Sequence, residues 1–402
     1  MAAETSGVKT RPKERPSDRI GRRSRLSCYR HKQNLFPPEC PSLGGMKRPF
    51  RGATFHVTNK CGRSKKRTEF HGKTGFLADY NRYSKEKRMP RTRIAPSPTG
   101  ALHLGNARTF LVNWALARRH GWGVVLRIED LDGPRVKSGA ADEAIELLAW
   151  LGLDWDEGPY YQLHDLAPYR EALATLARAG DVYPCRCTRK QIELASLSAP
   201  HGDEHELRYP GTCRPAEPTP VDPALLADEN VAWRLRVPAG ETTFVDQFAG
   251  PQRHDVAQAV GDFLVGTKGG LPSYQLAVVV DDARQGIDQV VRGDDLLPST
   301  PRQIHIYDRL RLGPAPSYTH LPLVVGSDGR RLAKRHGDSR LSHYRAAGAS
   351  AARVVGQLAA WCGCGERREM TAGKFLDKFD LARLPGAPIV FSSEDDRWLL
   401  ER

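Results

Sequence analysis

A histidine at the predicted start of a helix carries the strongest chemical signal in the chain. The run Thr92 to Ala95 predicts a short strand, and the Pro, Ser and Gly residues after it predict a turn. Apolar residues then recur at helical spacing from Leu104 to His120. We expect the start of this helix to offer free backbone N–H groups to an anion, with His103 donating a hydrogen bond to a phosphate oxygen. On the residues alone, an ordinary turn histidine remains an open alternative.

Charged residues mark the ends of further predicted strands. The β-branched run Val124 to Ile128 predicts a buried strand, and Glu129 comes directly after it, where such sheets face their ligand. Its alternative role is capping the next helix. The runs Tyr274 to Asp282 and Ile287 to Leu296 are predicted as two more strands. Arg292 in the second run suits a carboxylate, because guanidinium binds it through two parallel bonds; a structural ion pair is the alternative.

Three cysteines suggest a metal site. Cys185 and Cys187 form a C-x-C pair, and Cys213 follows further along the chain. This pattern is typical of a tetrahedral zinc site that lacks one ligand, for which His201 and His205 are the usual candidates. Three reduced cysteines without a metal are the alternative. A second C-x-C pair, Cys362 and Cys364, has no completing residue nearby in the sequence and is interpreted as structural.

A glycine-containing loop dense in cations, Asp328 to Asp338, follows a predicted strand from Tyr318 to Val325. Such a loop suits a polyphosphate, although a solvated basic turn would look the same.

The elements that position these residues alternate between strand and helix, which indicates an α/β nucleotide-binding fold in two halves. We predict helices at Ser138 to Gly152, Asp165 to Gly180 and Ala351 to Trp361, and strands at Val231 to Val237 and Thr242 to Val245. The predicted divisions are a basic extension at 1–88, the first half of the fold at 89–182, an insertion at 183–260, the second half at 261–344, and a helical segment at 345–402.

Composition limits the class of protein. The chain has 402 residues and a formal net charge of +14, enough length for two or three domains. Residues 1–90 hold 23 Lys and Arg against 7 Asp and Glu, so the remainder, with 38 basic and 40 acidic residues, is nearly neutral. Neither an apolar run of transmembrane length nor a signal peptide is visible, and eight cysteines do not make a disulfide scaffold. We expect a reduced cytoplasmic protein that has no membrane partner.

Residues 1–88 are rich in Arg, Lys, Ser, Pro and Gly and lack a sustained helical or strand period, which predicts disorder. They suit a basic arm that binds RNA. Glu4, Glu14 and Asp18 count against a transit peptide. A misassigned start, with Met89 as the true first residue, is the third interpretation.

The stretch Arg93 to Arg108 resembles the first signature of class I aminoacyl-tRNA synthetases in its glutamyl form, R-[FI]-A-P-S-P-[TS]-G-x-L-H-[LI]-G. Asn106 stands at the second histidine of the general signature. The runs ending at Asp132, Asp282 and Leu296 resemble the R-I-E-D-[LT]-D, Y-[NQ]-[LF]-A-x-V-[VI]-D-D and V-[IV]-R-G-x-D-L motifs of the same branch. The cation-rich loop resembles the second signature, K-[LM]-S-K-[RS], with Ala333 in place of the serine.

The resemblance implies a Rossmann-like catalytic domain with a small zinc-bearing insertion. It implies charge stabilisation by His103, Asn106 and Lys334, with Mg²⁺ screening the phosphates. The implied glutamate-binding residues are Arg93, Ser97, Glu129, Tyr274 and Arg292. The implied ATP-binding residues are His103, Gly105, Asn106, Arg331 and Lys334. The insertion resembles that of glutamyl-queuosine tRNA(Asp) synthetases, which implies one Zn²⁺ on Cys185, Cys187, Tyr209 and Cys213.

The resemblance also implies an activity. ATP would activate L-glutamate to glutamyl-adenylate. The absence of an anticodon-binding region indicates transfer of the glutamyl group to queuosine at the wobble position of tRNA(Asp). We expect the protein to be a monomer. Residues 379–384 and 388–391 are similar to the stem-contact segment of glutamyl-tRNA synthetases. A shortened glutamyl-tRNA synthetase that charges the tRNA 3′ end is the alternative. A tRNA-independent nucleotidyltransferase and a non-enzymatic zinc-bearing RNA-binding module fit fewer of the motifs.

Overall fold

The structure is a computed structural model that describes residues 89–132, 135–197, 207–330, 332 and 339–401. The chain separates into Met1–Glu69 and Phe70–Arg402, and all described residues belong to the second unit. The predictions for 1–88, and those for His201, His205, Arg331 and Lys334, lie outside the described residues.

Strands and helices alternate through most of this unit. The strands are β1 (Arg91–Ile94), β2 (Gly123–Ile128), β3 (Glu157–Tyr161), β4 (Val182–Cys185), β5 (Ala232–Leu235), β6 (Thr242–Asp246), β7 (Gly250–His254), β8 (Leu264–Gly266), β9 (Gln289–Gly293), β10 (Ser317–Leu321), β11 (Val324–Val325) and β12 (Ile389–Val390). The α-helices are α1 (Leu104–His120), α2 (Ala140–Trp150), α3 (Ala167–Arg178), α4 (Arg189–Leu197), α5 (Val256–Ala259), α6 (Tyr274–Gln285), α7 (Ser299–Leu310), α8 (Leu341–Ala346), α9 (Ala351–Trp361), α10 (Ala372–Lys378) and α11 (Ser393–Leu400).

Parallel strands form the centre of the fold. The first sheet has the order β1-β2-β3, with Thr92 opposite Val124. The second has the order β7-β6-β10-β9, in which β10 runs parallel to both β9 and β6. Backbone hydrogen bonding between Arg91 and Asp288 joins the start of β1 to the start of β9. The carboxyl ends of β1, β2 and β9 therefore meet at one edge, where open α/β sheets bind ligands.

The predicted helix from Leu104 to His120 is confirmed with the same bounds. Its apolar face buries Leu111 and Val112 against Leu126 of β2, in a core that also takes Phe375 of α10. The helix ends at Gly121, whose φ of 68° is a left-handed conformation that glycine adopts at little cost.

The predicted strand at Tyr274 to Asp282 is wrong, because this run lies in α6. The Ser273 hydroxyl caps the helix by accepting from the backbone N–H of Leu276, and the helix ends at Gly286. Every residue from Leu276 to Ala283 is buried, so this part of the helix has no face exposed to solvent. A continuous apolar run of this length signals burial without distinguishing a buried strand from a buried helix.

A smaller antiparallel sheet, β4-β5-β8, packs on α3, α6 and α7. The predicted strands at Val231 to Val237 and Thr242 to Val245 correspond to β5 and β6. The strand predicted from Tyr318 to Val325 divides into β10 and β11, because Pro322 lies between them and lacks a backbone N–H. No helix in the described part of the chain has the length and apolar character to span a membrane.

Helix α9 approaches the backbone of the following loop closely. A Cβ atom at Gly356 would lie 1.9 Å from the carbonyl oxygen of Arg368. Glycine therefore permits this contact between the helix and the loop that leads to α10.

Candidate functional site

A cleft of about 400 Å³ opens at the carboxyl ends of β1, β2 and β9. It gathers all the described residues that were predicted to bind glutamate or ATP. These are Arg93, Ser97, His103, Gly105, Asn106, Glu129, Tyr274 and Arg292.

His103 caps the helix that borders the cleft. Its Nδ1 accepts hydrogen bonds from the backbone N–H groups of Gly105, at 3.1 Å, and Asn106, at 3.4 Å. The Asn106 side-chain oxygen accepts from the His103 backbone N–H in return. Because Nδ1 accepts, the neutral ring carries its proton on Nε2 and is a donor there.

The expectation of free backbone N–H groups at this helix start is wrong. The N–H of Leu104 donates to the carbonyl of Ser339, and that of Ala107 donates to the carbonyl of His103. With Gly105 and Asn106 held by the histidine ring, the first turn is already bonded within the protein. Donors for an anion must therefore come from side chains at this end of the cleft.

Arg292 is buried at the floor of the cleft and bonds to neutral groups. Its Nε donates to Nε2 of His320 at 2.9 Å, and its Nη2 donates to Oγ1 of Thr300 at 2.8 Å. Among the described residues, Nη1 has no hydrogen-bond partner. Within that part of the chain Arg292 forms no ion pair, so the alternative of a structural ion pair does not describe its contacts.

His320 is itself bonded to a carboxylate. Its Nδ1 lies 2.7 Å from Oδ2 of Asp246, and both side chains are buried. Burial lowers the pKa of His320 and outweighs the bond to Asp246. Burial alone would raise the pKa of Asp246, but hydrogen bonds from His320 and Ala249 hold it below its usual value. The pair therefore consists of a neutral imidazole and an ionised carboxylate.

A buried charge network also borders the cleft. Arg127 Nη2 binds Glu129 Oε1 at 3.1 Å, and Nη1 binds Asp282 Oδ1 at 2.7 Å. Arg93 Nε lies 3.4 Å from the same Asp282 oxygen. Burial alone would lower the pKa of Arg127, but the carboxylates of Asp282 and Glu129 raise it above its usual value. The network holds Glu129 in position at the edge of the cleft.

The cysteine cluster lies in the segment between β4 and β8. Its three sulfur atoms fall within 4.8 Å of one another, and this is the one group of metal-ligand side chains found among the described residues. The Tyr209 hydroxyl lies 3.6 Å from Cys185 Sγ and 4.0 Å from Cys187 Sγ. Burial alone would raise the pKa of the Cys213 thiol, but a backbone hydrogen bond at Arg186 and one from Tyr209 lower it to about 7. The four predicted ligands are thus together.

Several residues that hydrogen-bond to the side chains of the cleft and of the cysteine cluster were not identified from the sequence. His320 and Thr300 bond to Arg292, and Asp246 bonds to His320; only their distant positions in the chain hide the relationship. Arg127 carried a usable signal, since a charged residue inside a fully buried strand requires a partner. Arg234 also escaped notice: its Nε donates to Cys185 Sγ, and its guanidinium lies 3.6 Å from the centre of the Tyr209 ring.

Several known proteins are similar to this chain in sequence or in fold. The chain is 47% identical over 312 residues to "Glutamyl-Q tRNA(Asp) synthetase" of Symbiobacterium thermophilum, covering 75% of this chain and 96% of that protein. It is 43% identical over 321 residues to the protein of that name in Rhodopirellula baltica, covering 74% and 95%. A crystal structure of a glutamate tRNA ligase from Elizabethkingia meningosepticum in complex with its amino acid superposes with a TM-score of 0.66 at 25% identity, covering 78% of this chain and 69% of that one.

The comparisons also locate the shared region. The family model described as tRNA synthetases class I (E and Q), catalytic domain, matches residues 89–394. This range contains the cleft, the charge network and the cysteine cluster. The chain has the α/β fold of the class I synthetases, and it belongs to the family of class I tRNA synthetases (E and Q).

Proposed function

We propose that this protein uses ATP to activate L-glutamate and transfers the glutamyl group to the queuosine base at the wobble position of tRNA(Asp). The observation that carries the proposal is the buried guanidinium of Arg292, whose Nη1 has no bonding partner among the described residues and which lines the cleft. A buried cation in this position requires an anionic ligand, because an unpaired buried charge is costly. The names of the relatives in Symbiobacterium and Rhodopirellula support glutamate and tRNA(Asp) as substrates.

The cleft has complementary charges for an amino acid with an acidic side chain. Arg292 would bind the γ-carboxylate, with Tyr274 beside it. Glu129, fixed by Arg127, would accept a hydrogen bond from the α-ammonium group. Arg93 and Ser97 line the cleft beside Glu129 and would contact the rest of the substrate.

The other end of the cleft would hold ATP. Nε2 of His103 and the side-chain amide of Asn106 are donors for phosphate oxygens. Gly105 leaves room at the helix start, where an added Cβ would lie 3.0 Å from the His103 ring. Arg331 and Lys334 would supply positive charge, and Mg²⁺ bound to ATP would screen the phosphates.

Activation needs alignment and charge stabilisation more than covalent help from the protein. An oxygen of the glutamate α-carboxylate attacks the α-phosphorus of ATP and forms a phosphorus–oxygen bond, and the bond from that phosphorus to the bridging oxygen breaks to release pyrophosphate. A hydroxyl of queuosine then attacks the acyl carbon of the adenylate, and AMP leaves. His103 and Lys334 would stabilise the charge that develops in the first step.

The cysteine cluster would hold one Zn²⁺ through Cys185, Cys187, Tyr209 and Cys213. Soft sulfur donors in a group of this size fit zinc, and Arg234 would balance part of the ligand charge. Bound there, the metal would tie the end of β4 to the loop at 209–213.

The acceptor is tested by following labelled glutamate onto two RNAs. We expect tRNA(Asp) with queuosine to accept glutamate even after removal of its 3′-terminal adenosine, because single-stranded anticodon loops can present a splayed base. The same tRNA from cells that lack queuosine should not accept it. The similarity to a glutamate tRNA ligase structure favours a second candidate, charging of the tRNA 3′ end. If trimming the 3′ end abolishes labelling and loss of queuosine does not, that candidate is correct.

A further inference from the structure

Asp246, His320 and Arg292 form a continuous chain of buried hydrogen bonds that ends at the cleft. Asp246 is on β6, His320 on β10 and Arg292 on β9, three neighbouring strands of one sheet. Their exposed fractions are 1%, 1% and 4%. Because each member lies on a strand, the sheet fixes the distances between them.

The proton positions in this chain follow from the bonding. Asp246 Oδ1 accepts from the backbone N–H groups of Phe248, at 3.0 Å, and Ala249, at 2.7 Å. An ionised carboxylate only accepts, so the 2.7 Å contact to His320 places the imidazole proton on Nδ1. Nε2 of His320 is then an acceptor, directed at Nε of Arg292.

The orientation of the guanidinium follows in turn. Nε and Nη2 are bonded to His320 and Thr300, which are neutral acceptors. The ring of Tyr318 lies 5.4 Å from the guanidinium carbon. This leaves Nη1, which is buried, without a hydrogen-bond partner among the described residues, and Arg292 lines the cleft with no anionic group bonded to its guanidinium in that part of the chain.

We propose that His320, with its tautomer set by Asp246, is a positioning residue that orients Arg292 toward the side-chain carboxylate of the amino acid substrate. This inference rests on the proposed function, since it assigns that carboxylate to Arg292. His320 does not touch the substrate in this assignment. It acts by holding one edge of the guanidinium. Its loss should therefore weaken glutamate binding and the preference for glutamate over glutamine more than it weakens ATP binding.

The test compares two substitutions at one position by ATP–pyrophosphate exchange. His320→Asn keeps an amide donor near Asp246 but has no atom at the position of Nε2. His320→Gln places a carbonyl oxygen near that position. We expect His320→Asn to raise the KM for glutamate at least tenfold, to leave the KM for ATP within twofold, and to reduce the preference for glutamate over glutamine. His320→Gln should bring the KM for glutamate most of the way back to the value of the unsubstituted protein.

Asp246→Asn is a second variant, which allows the test even if the His320 variants fail to fold. Its amide can still accept the two backbone N–H bonds, but it can donate to Nδ1 and move the imidazole proton to Nε2, against Arg292. We expect the same selective rise in the glutamate KM. His305→Asn is the matched control, because His305 also bonds to β6, through Thr242 at 3.1 Å, whereas Arg292 bonds to His320 and Thr300.

Two results would overturn the inference: an unchanged glutamate KM in both His320→Asn and Asp246→Asn, or an equal rise in the ATP KM. A failure of His320→Gln to improve on His320→Asn would assign His320 a structural role only. If the unsubstituted protein does not activate glutamate at all, the proposed function fails instead, and this outcome is visible before any variant is made.

Discussion

The guanidinium of Arg127 binds the carboxylate of Glu129 beside the cleft, with 3.1 Å between Nη2 and Oε1. The same guanidinium binds Asp282 on α6, so one buried cation serves a residue facing the cleft and a residue of the helix below it. The network therefore links the edge of the cleft to the packing of α6.

We expect Arg127→Met to lower the free energy of unfolding by about 3–5 kcal/mol, because it removes the buried cation shared by Glu129 and Asp282 and leaves Asp282 with only the longer contact to Arg93. Arg253→Met is the control: its ion pair with Glu241 is exposed, and removing it should cost about 0.2–1 kcal/mol. Urea unfolding followed by circular dichroism measures both. Equal losses in the two variants would show that the buried network contributes no more than a surface pair.

We expect about one zinc per chain, lost in Cys185→Ser and retained in His205→Ala. The sulfur positions and the Tyr209 hydroxyl are the physical reason, since they already form a compact donor set. Metal analysis of the purified proteins measures the content. Cys364→Ser, outside the cluster, should keep its zinc. Retention in Cys185→Ser with loss in His205→Ala would give the fourth ligand position to a histidine.

We expect Lys334→Ala to slow adenylate formation by two or more orders of magnitude, which corresponds to about 3 kcal/mol for one charge contact in the transition state. Single-turnover measurement of adenylate formation tests this directly. Lys374→Ala on α10, whose side chain is exposed, is the control and should leave the rate unchanged. A loss of only several-fold would assign the phosphate contact to Arg331 or Arg335.

We expect Gly356→Ala to destabilise the protein by about 1–3 kcal/mol, because its Cβ would collide with the Arg368 carbonyl and force the backbone to move. Gly373→Ala on α10 is the matched control, since nothing lies within 4 Å of its Cβ position. Alanine favours a helix over glycine by up to about 1 kcal/mol, so this change should be neutral or stabilising. Thermal unfolding that shifts both variants in the same direction would contradict the close approach.

Local patterns predicted the elements whose length or residue types separate a helix from a strand. The helical spacing of apolar residues such as Leu104, Leu111 and Trp114, in a pattern of 17 residues that is too long for a typical strand, predicted α1 with its observed bounds, and the short β-branched run at 124–128 predicted β2. The run at 274–282 failed because α6 is buried on every side, which removes the periodicity that identifies a helix. The free anion site at the start of α1 failed because the preceding histidine bonds to the first turn itself.

In the cleft, the lining residues were predictable from the sequence and the residues that support them were not. Its lining residues lie within motifs that the sequence shows directly, and the structure brings the described ones together. The residues that support them, such as Asp246 and His320, come from strands far apart in the chain, and their pairing depends on sheet order. No local pattern contains that information.

The pairing of β6 with β10 has a consequence for how the segment at 183–260 can be exchanged between proteins. This segment carries the cysteine cluster, but through Tyr318 and Asp246 it also supplies a strand of the central sheet. A graft that replaced all of it would remove the strand that carries Asp246, and with it the bond to His320, along with the cysteine cluster. A chimaera that keeps residues 242–254 from the recipient would preserve that strand and its bond.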